Sequence, residues 1–312
     1  MLNQLDCSDR RPPTSQESVV PLLLSVLGAL VILLGLIEVF HTLLHPSGRG
    51  RLSRLCVAAV WRIMRRLGDK GAGIAGPLAL VCVIVFWAAL QALGWALLLY
   101  PHVPQGFTYS PGLDPSRYGD AAEAFYISMV TLTTLGYGDV IATDPLIRLL
   151  APLEALTGFA LLTAAVSWFM QVYPALARRR ALAIRLSLLQ NAGYAARLEQ
   201  LNAAAVTNTV ETLVADLVQI RVDLTQTSES YYFWESNKDL SLPASLSYAV
   251  DIADQAGHSA QPTLQTAGAL LSDALDSLAA FLKEEFKHEG ESTQDIFQSY
   301  ASDHRYPYRE SS

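Results

Sequence analysis

Residues 131–139 read Thr-Leu-Thr-Thr-Leu-Gly-Tyr-Gly-Asp. What this run offers chemically is oxygen. The backbone carbonyls, with the hydroxyl of Thr134, can replace a cation's hydration shell when several copies of the loop surround it. Turning successive carbonyls to one side demands backbone angles that a Cβ disfavours, and Gly136 and Gly138 adopt such angles without steric cost. A lone Gly-Tyr-Gly is weak evidence, because many loops contain one. This one follows a short helix-like segment and lies between two apolar runs, each long enough to cross a bilayer.

Those runs are part of a set of three, at about 19–44, 77–100 and 146–173, each approaching the roughly 20 apolar residues that a span requires. A fourth apolar piece, 121–133, is too short to cross. It suits a helix that enters the membrane and stops, tolerable where neighbouring protein buries its ends. The basic residues set an orientation. Arg49, Arg51, Arg54, Arg62, Arg65, Arg66 and Lys70 follow the first span, and Arg178, Arg179, Arg180 and Arg185 follow the third. The segment holding the glycine loop has only Arg117 and Arg148. The expectation is a multi-pass protein of the cell membrane, with the loop's mouth outside and the C-terminal half in the cytoplasm. Arg10 and Arg11 mildly oppose that assignment. A cleaved signal peptide is the weaker reading of residues 1–40, since the apolar run continues to Leu44 with no small-x-small site to close it.

Half of the chain is hydrophobic (51%) and only 16% is charged, and the charge is uneven. Residues 1–180 carry 14 Lys and Arg against 11 Asp and Glu, while the remainder carries 8 against 18. An apolar, slightly basic first part joined to an acidic second part reads as a membrane domain followed by a water-soluble one, and argues against nucleic acid as a partner. Cys7, Cys56 and Cys82 are isolated, with no spacing suited to a disulfide framework or zinc.

Arg51 to Leu67 has Leu52, Leu55, Cys56, Ala59, Val60, Ile63 and Leu67 on one helical face. Arg51, Arg54, Arg62, Arg65 and Arg66 fall largely on the other, the pattern of a helix lying on the inner leaflet among anionic headgroups. A voltage sensor would need those arginines inside a spanning helix, and this segment is too polar for that.

Residues of roughly 77–175 resemble the pore domain of tetrameric potassium channels: outer helix, pore helix, selectivity filter, inner helix. The resemblance rests on the run Thr133-Thr134-Leu135-Gly136-Tyr137-Gly138-Asp139 in that setting. It implies a homotetramer, with K+ held by Thr134, Leu135, Gly136, Tyr137 and Gly138, and it implies passive conduction with no cofactor, no other metal and no catalytic residues. Thr133, Asp139 and Tyr126 would support the filter, with Tyr126 and Tyr137 forming an aromatic cuff. Val130 stands where some members carry a glutamate paired with the mouth aspartate. Gly158, nineteen residues after Asp139, falls where many members have a glycine at which the inner helix bends; close packing explains a small residue there equally well. Leu162, Val166 and Met170 follow as an apolar face able to line a cavity. Glu154, within the third span, needs a partner; Arg148 or a polar group behind the filter would serve.

The first span is additional to the two that the family's minimal pore requires. Its lower end places Glu38, His41 and His45 on one helical face. Such a patch could respond to protons or divalent ions. A polar stripe packed on the pore unit is the preferred reading, since intramembrane polar residues bond more often across helices than to metal.

The expected architecture is an all-α membrane protein: tail 1–18, extra transmembrane helix 19–45, basic interfacial helix and linker 46–76, pore domain 77–175, α-helical cytoplasmic domain 176–288 and polar tail 289–312. In the cytoplasmic part, 182–226 reads as one long helix able to bundle in a tetramer. A loop anchored by Tyr231, Tyr232, Phe233 and Trp234 follows, then helices at about 244–257 and 263–287, then a polar, mobile tail. No motif of a nucleotide- or calcium-binding ring domain appears. A less selective cation channel, and a non-conducting membrane sensor or scaffold that keeps the pore fold, are the alternatives.

Overall fold

The computed structural model describes residues 15–43 and 50–306. They divide into two compact units, one of Met1–Phe40 with Ile84–Val166, the other of His41–Val83 with Ser167–Ser312. Helix α3 (Asp69–Leu99) and helix α5 (Pro145–Asn191) contribute to both. Among the described residues, three helical stretches are long and apolar enough to span a bilayer: Val19–Leu43 within α1 (Ser15–Leu43), Gly73–His102 and Pro145–Asn191.

In the first unit, α1 packs on α3 where two glycines remove the steric barrier between backbones. A Cβ on Gly28 would stand 2.6 Å from the Gly94 carbonyl oxygen and 2.7 Å from the Leu98 nitrogen, and one on Gly94 would meet Ile32 Cγ1 at 2.8 Å. This is the small-residue contact by which helices approach in lipid. Beside it the fully buried Gln91 donates from Nε2 to the Ile32 carbonyl at 3.0 Å. The outward side of α1, with Leu22, Leu23, Leu30 and Ile37 more than half exposed, suits contact with acyl chains. A 13-residue helix, α4 (Asp120–Leu132), starts with Asp120 and Glu123 in its first turn, where carboxylates favour the helix dipole. The loop that follows α4 runs into a three-residue strand, β2 (Val140–Ala142), paired antiparallel with β1 (Phe107–Tyr109) in the register Phe107↔Ala142 and Tyr109↔Val140. These strands are too short for an alternating pattern to reveal them in the sequence.

In the second unit, the end of α5 joins α6 (Ala203–Gln226), α7 (Leu242–Gly257), α8 (Pro262–Phe286) and α9 (Thr293–Asp303) around one apolar core. Two sequence expectations are corrected here. The 182–226 pattern is two helices, because Gly193 turns with φ +62° and Asn202 caps α6 by accepting from the nitrogens of Ala204 and Ala205. The apolar row of α6, Val206, Val210, Leu213, Leu217, Ile220 and Leu224, is buried within this same chain and so cannot form an intersubunit seam. The expected polar tail, 289–312, contains α9. It opens with a Ser292/Asp295 capping box and buries Ile296, Phe297, Tyr300 and Ala301.

Helix α2 (Arg51–Arg66) belongs to this unit and presents two different faces. Ser53, Val57 and Trp61 are buried; Leu55, Ile63 and Leu67 are 57–67% exposed. Of the arginines assigned to headgroups, Arg54 is instead paired with Glu285 of α8 at 3.0 Å, and Arg65 with Asp303 of α9. Arg62 and Arg66 are exposed, and the side chain of Arg51 lies outside the described residues, as does His45.

Candidate functional site

The loop 133–139 hangs from the C-terminus of α4. The Val130 carbonyl accepts from the nitrogens of Leu135 (3.0 Å) and Gly136 (3.4 Å), and the Thr133 hydroxyl donates back to the Met129 carbonyl at 2.7 Å. Beyond that anchor the backbone alternates. Thr134, Gly136 and Gly138 have φ of +56°, +53° and +80°, whereas Leu135 and Tyr137 between them lie outside the left-handed region. Alternation of hand repeats the left-handed backbone state at every second residue of the loop. For glycine the left-handed angle costs little; for Thr134, a β-branched residue, it is a strained state kept only where the surroundings hold it.

What holds the far end is Asp139. Its carboxylate accepts from the Tyr126 hydroxyl at 2.6 Å and from its neighbour Val140 N at 3.0 Å, and its carbonyl accepts from Ser110 N at 2.8 Å. The strand pair places Ser110 there, directly after β1. Within one chain the rings of Tyr126 and Tyr137 do not meet, so the expected cuff is not an intrachain contact; Tyr137 is 74% exposed and Leu135 60%.

Behind the loop, α5 crosses α4 at Gly158. A Cβ there would land on the Leu132 carbonyl oxygen, so backbone contact explains the glycine, and α5 runs unbroken through that position. Glu154, one turn earlier and 1% exposed, takes a 2.6 Å bond from the Ser128 hydroxyl, which also lies 3.0 Å from the Ala92 carbonyl oxygen. Ser128, not Arg148, is thus its partner. Trp95 Nε1 donates to Thr157 Oγ1 at 3.2 Å, tying α3 to the same stretch. Leu162, Val166 and Met170 are 53–73% exposed in the single chain. Glu38 is buried and His41 half-buried on α1; among the described residues no group of three or more His, Cys, Asp or Glu is placed to hold a metal.

Sequence inspection missed a second constellation, the arginines after the third span. Arg178 donates through Nε and Nη2 to the two oxygens of Asp223, both at 2.7 Å. Arg179, 3% exposed, donates to the carbonyls of Ser230 (2.5 Å) and Phe233 (2.6 Å). Arg180 meets Glu235 at 2.7 Å and Arg185 meets Asp216. The available signal was the charge imbalance itself, basic up to Arg185 and acidic after it.

With this geometry in view, comparison with known proteins is informative. Residues 79–173 match the family described as Ion channel. That stretch runs from within α3, through the α4 loop, to the middle of α5. The family is one of ion channels and not of enzymes. An uncharacterized membrane protein of Bacillus subtilis (strain 168), YdjJ, is 30% identical over 162 residues, 51% of this chain. The chain spans 46% of that relative's length. No solved structure matches the chain. The protein is accordingly a helical membrane protein whose central third matches an ion-channel pore.

Proposed function

We propose that the protein is a potassium-selective channel, conducting K+ passively through a homotetrameric pore. The observation that carries this reading is the left-handed alternation at Thr134, Gly136 and Gly138 in a loop pinned at Val130 and Asp139. Carbonyls of Thr134, Leu135, Gly136 and Tyr137 with the Thr134 hydroxyl are the ion ligands, and Gly138 completes the turn into Asp139. One chain supplies one loop, and a ring of carbonyls needs several. The exposed Phe159, Leu162 and Val166 supply the apolar surface that sister subunits or a dewetting cavity would cover.

By the distribution of arginine, the loop's mouth faces outward and the helical domain lies in the cytoplasm. Helix α2 then sits on the inner leaflet, with Leu55, Ile63 and Leu67 toward the acyl region and Arg62 and Arg66 among anionic headgroups. Arg54 and Arg65 are committed to carboxylates of the helical domain.

Single-channel recording of the purified protein in planar bilayers under a potassium/sodium gradient tests the reading. A reversal potential near the potassium value, lost in Gly136→Ala, is the expected result. A reversal potential near zero would sink selectivity, and silence of intact tetramers across pH and voltage would sink conduction.

A further inference from the structure

Glu229 lies in the 3-10 turn Ser228–Tyr232 and is only 4% exposed. Its Oε1 is buried without a hydrogen-bond partner. Helix α2 brings Arg54 to the same place, and the Nε–H of Arg54 is also buried without a partner, while its Nη1 donates to Glu285 Oε1 at 3.0 Å. Both residues line one pocket of about 410 Å³, together with Glu285, Tyr232, Ser228 and the apolar Val57, Ala58 and Phe286. An unmatched acceptor and an unmatched donor therefore face a common space, one on the helical domain and one on α2. A buried carboxylate with one oxygen left without a donor is costly when ionised and more tolerable when neutral.

Among the described residues, the other ionisable groups around the pocket are Glu285, Tyr232 and Asp303. Glu285 approaches from α8 and is held by Arg54. Tyr232 comes from the same turn and stays neutral, its hydroxyl pushed up to about 12 by burial and by the charges of Glu229 and Asp303. Asp303, from α9, is engaged by Arg65 and by the Tyr231 hydroxyl. Among the residues lining the pocket, Arg54 is the cation.

We propose that Glu229 is a proton-operated switch for α2: protonated, it leaves Arg54 committed to Glu285, and ionised, it competes for the guanidinium and moves the tie of α2 from α8 to the 228–232 turn. Burial pushes the Glu229 carboxyl up to about 7, with the hydrogen bond from its own backbone N–H and then the Arg54 charge pulling against that rise. The crossover therefore falls near neutral pH. Since the folded state raises this pKa above its unfolded value of 4.5, folding holds the proton more tightly. Stability from this group is full below pH 4.5 and declines as pH rises toward 7. The same turn holds Arg179 of α5 through the Ser230 carbonyl, so a change in the grip on α2 occurs beside the chain that continues the third span. Its use in gating rests on the channel reading; the switch itself does not.

The test is thermal melting of the full-length protein in detergent at pH 5.5 and 8.5, for wild type, Glu229→Gln, Arg54→Gln, Glu285→Gln and the double variants. Wild type should lose about 5 °C relative to Glu229→Gln between the two pH values. The coupling between Arg54 and Glu285 should be larger at pH 5.5, and a coupling between Arg54 and Glu229 should emerge at pH 8.5. Parallel melting curves, or an Arg54–Glu285 coupling equal at both pH values, would overturn the switch. If Glu229→Gln does not fold, Arg54→Gln decides the matter: removing the cation should move the wild-type transition to higher pH, and an unmoved transition refutes the proposal. In bilayers, open probability should follow cytoplasmic pH in wild type and lose that slope in Glu229→Gln. Absent currents with an intact melting result would reject the channel reading and leave the switch standing.

Discussion

The Tyr126 hydroxyl reaches the Asp139 carboxylate at 2.6 Å, bridging the middle of α4 to the outer end of the loop it anchors. On the channel reading proposed above, with Val130 where some potassium channels offer a glutamate, this bond would be a side-chain strut between pore helix and filter mouth. Tyr126→Phe removes it and little else. A hydrogen bond to a charged group contributes about 1.5–3 kcal/mol, so the equilibrium between conducting and collapsed loops should shift roughly 10- to 100-fold toward collapse. The rate and extent of current decay at low external potassium would report it. Unchanged decay would mean that the loop is held by backbone alone.

Gly158→Ala sets two effects against each other. Alanine improves helix propensity by about 1 kcal/mol, but its Cβ would occupy the site of the Leu132 carbonyl oxygen. Forcing backbones apart in a packed region costs about 1–3 kcal/mol or more, so the variant should melt lower than wild type. A variant that melts higher would show that α5 can slide past α4 freely, as a hinge would allow.

Arg179→Gln takes the guanidinium from the Phe233 carbonyl and leaves the Ser230 carbonyl with only the long 3.4 Å bond from Phe233 N. Unsatisfied buried acceptors cost about 1–3 kcal/mol each. Loss of several degrees in melting temperature is expected, with Arg179→Lys intermediate because one ammonium cannot span both carbonyls. An Arg179→Lys variant equal to wild type would argue that charge, and not the planar fork, matters here.

A chain of bonds crosses the core of the helical domain. The Ser299 hydroxyl meets His288 Nδ1 (3.0 Å), His288 Nε2 meets the Tyr231 hydroxyl (2.9 Å), and that hydroxyl donates to Asp303 Oδ2 (2.5 Å). With the Tyr231 hydroxyl donating its hydrogen bond to Asp303, His288 donates from Nε2 to the Tyr231 oxygen and accepts at Nδ1 from Ser299, the arrangement of a neutral imidazole. Burial lowers its pKa below 6.5, partly opposed by Asp303. His304, buried beside Arg179, is lowered to about 4, first by burial and then by that charge. In both, the unfolded chain takes up a proton first as pH falls. Stability is therefore full above 6.5 and lost toward acid, the opposite sign to Glu229. In Glu229→Gln, which removes that opposing contribution, melting should fall between pH 7 and 5, and with His288→Gln added it should fall less. Identical acid slopes would place the loss elsewhere.

The spans, the stopping helix and the domain helices α7 and α8 were legible because length and apolar period report burial directly. The breaks at Gly193 and Asn202 were also written in the chain, as a left-handed stop and a cap, but an apolar rhythm continuing on both sides hid them. Helix α9 was lost to its polar residues, although Ile296, Phe297 and Tyr300 are correctly spaced for one buried face. Ser128 as the partner of Glu154 was not legible, because the pairing depends on where two helices cross.

Among the described residues, each arginine shown paired with a carboxylate in the second unit precedes its partner: Arg54 before Glu285, Arg65 before Asp303, Arg178 before Asp223, Arg180 before Glu235, Arg185 before Asp216. A growing chain thus presents every one of these positive charges while no counter-charge for it has yet been synthesised. Flanking arginines direct topology as spans insert, and on the orientation proposed above these would act before their partners exist. Only afterwards does the acidic half arrive and neutralise them, so that on the proposed orientation the same side chains would serve first as an address for membrane insertion and then as the fastenings of a folded domain.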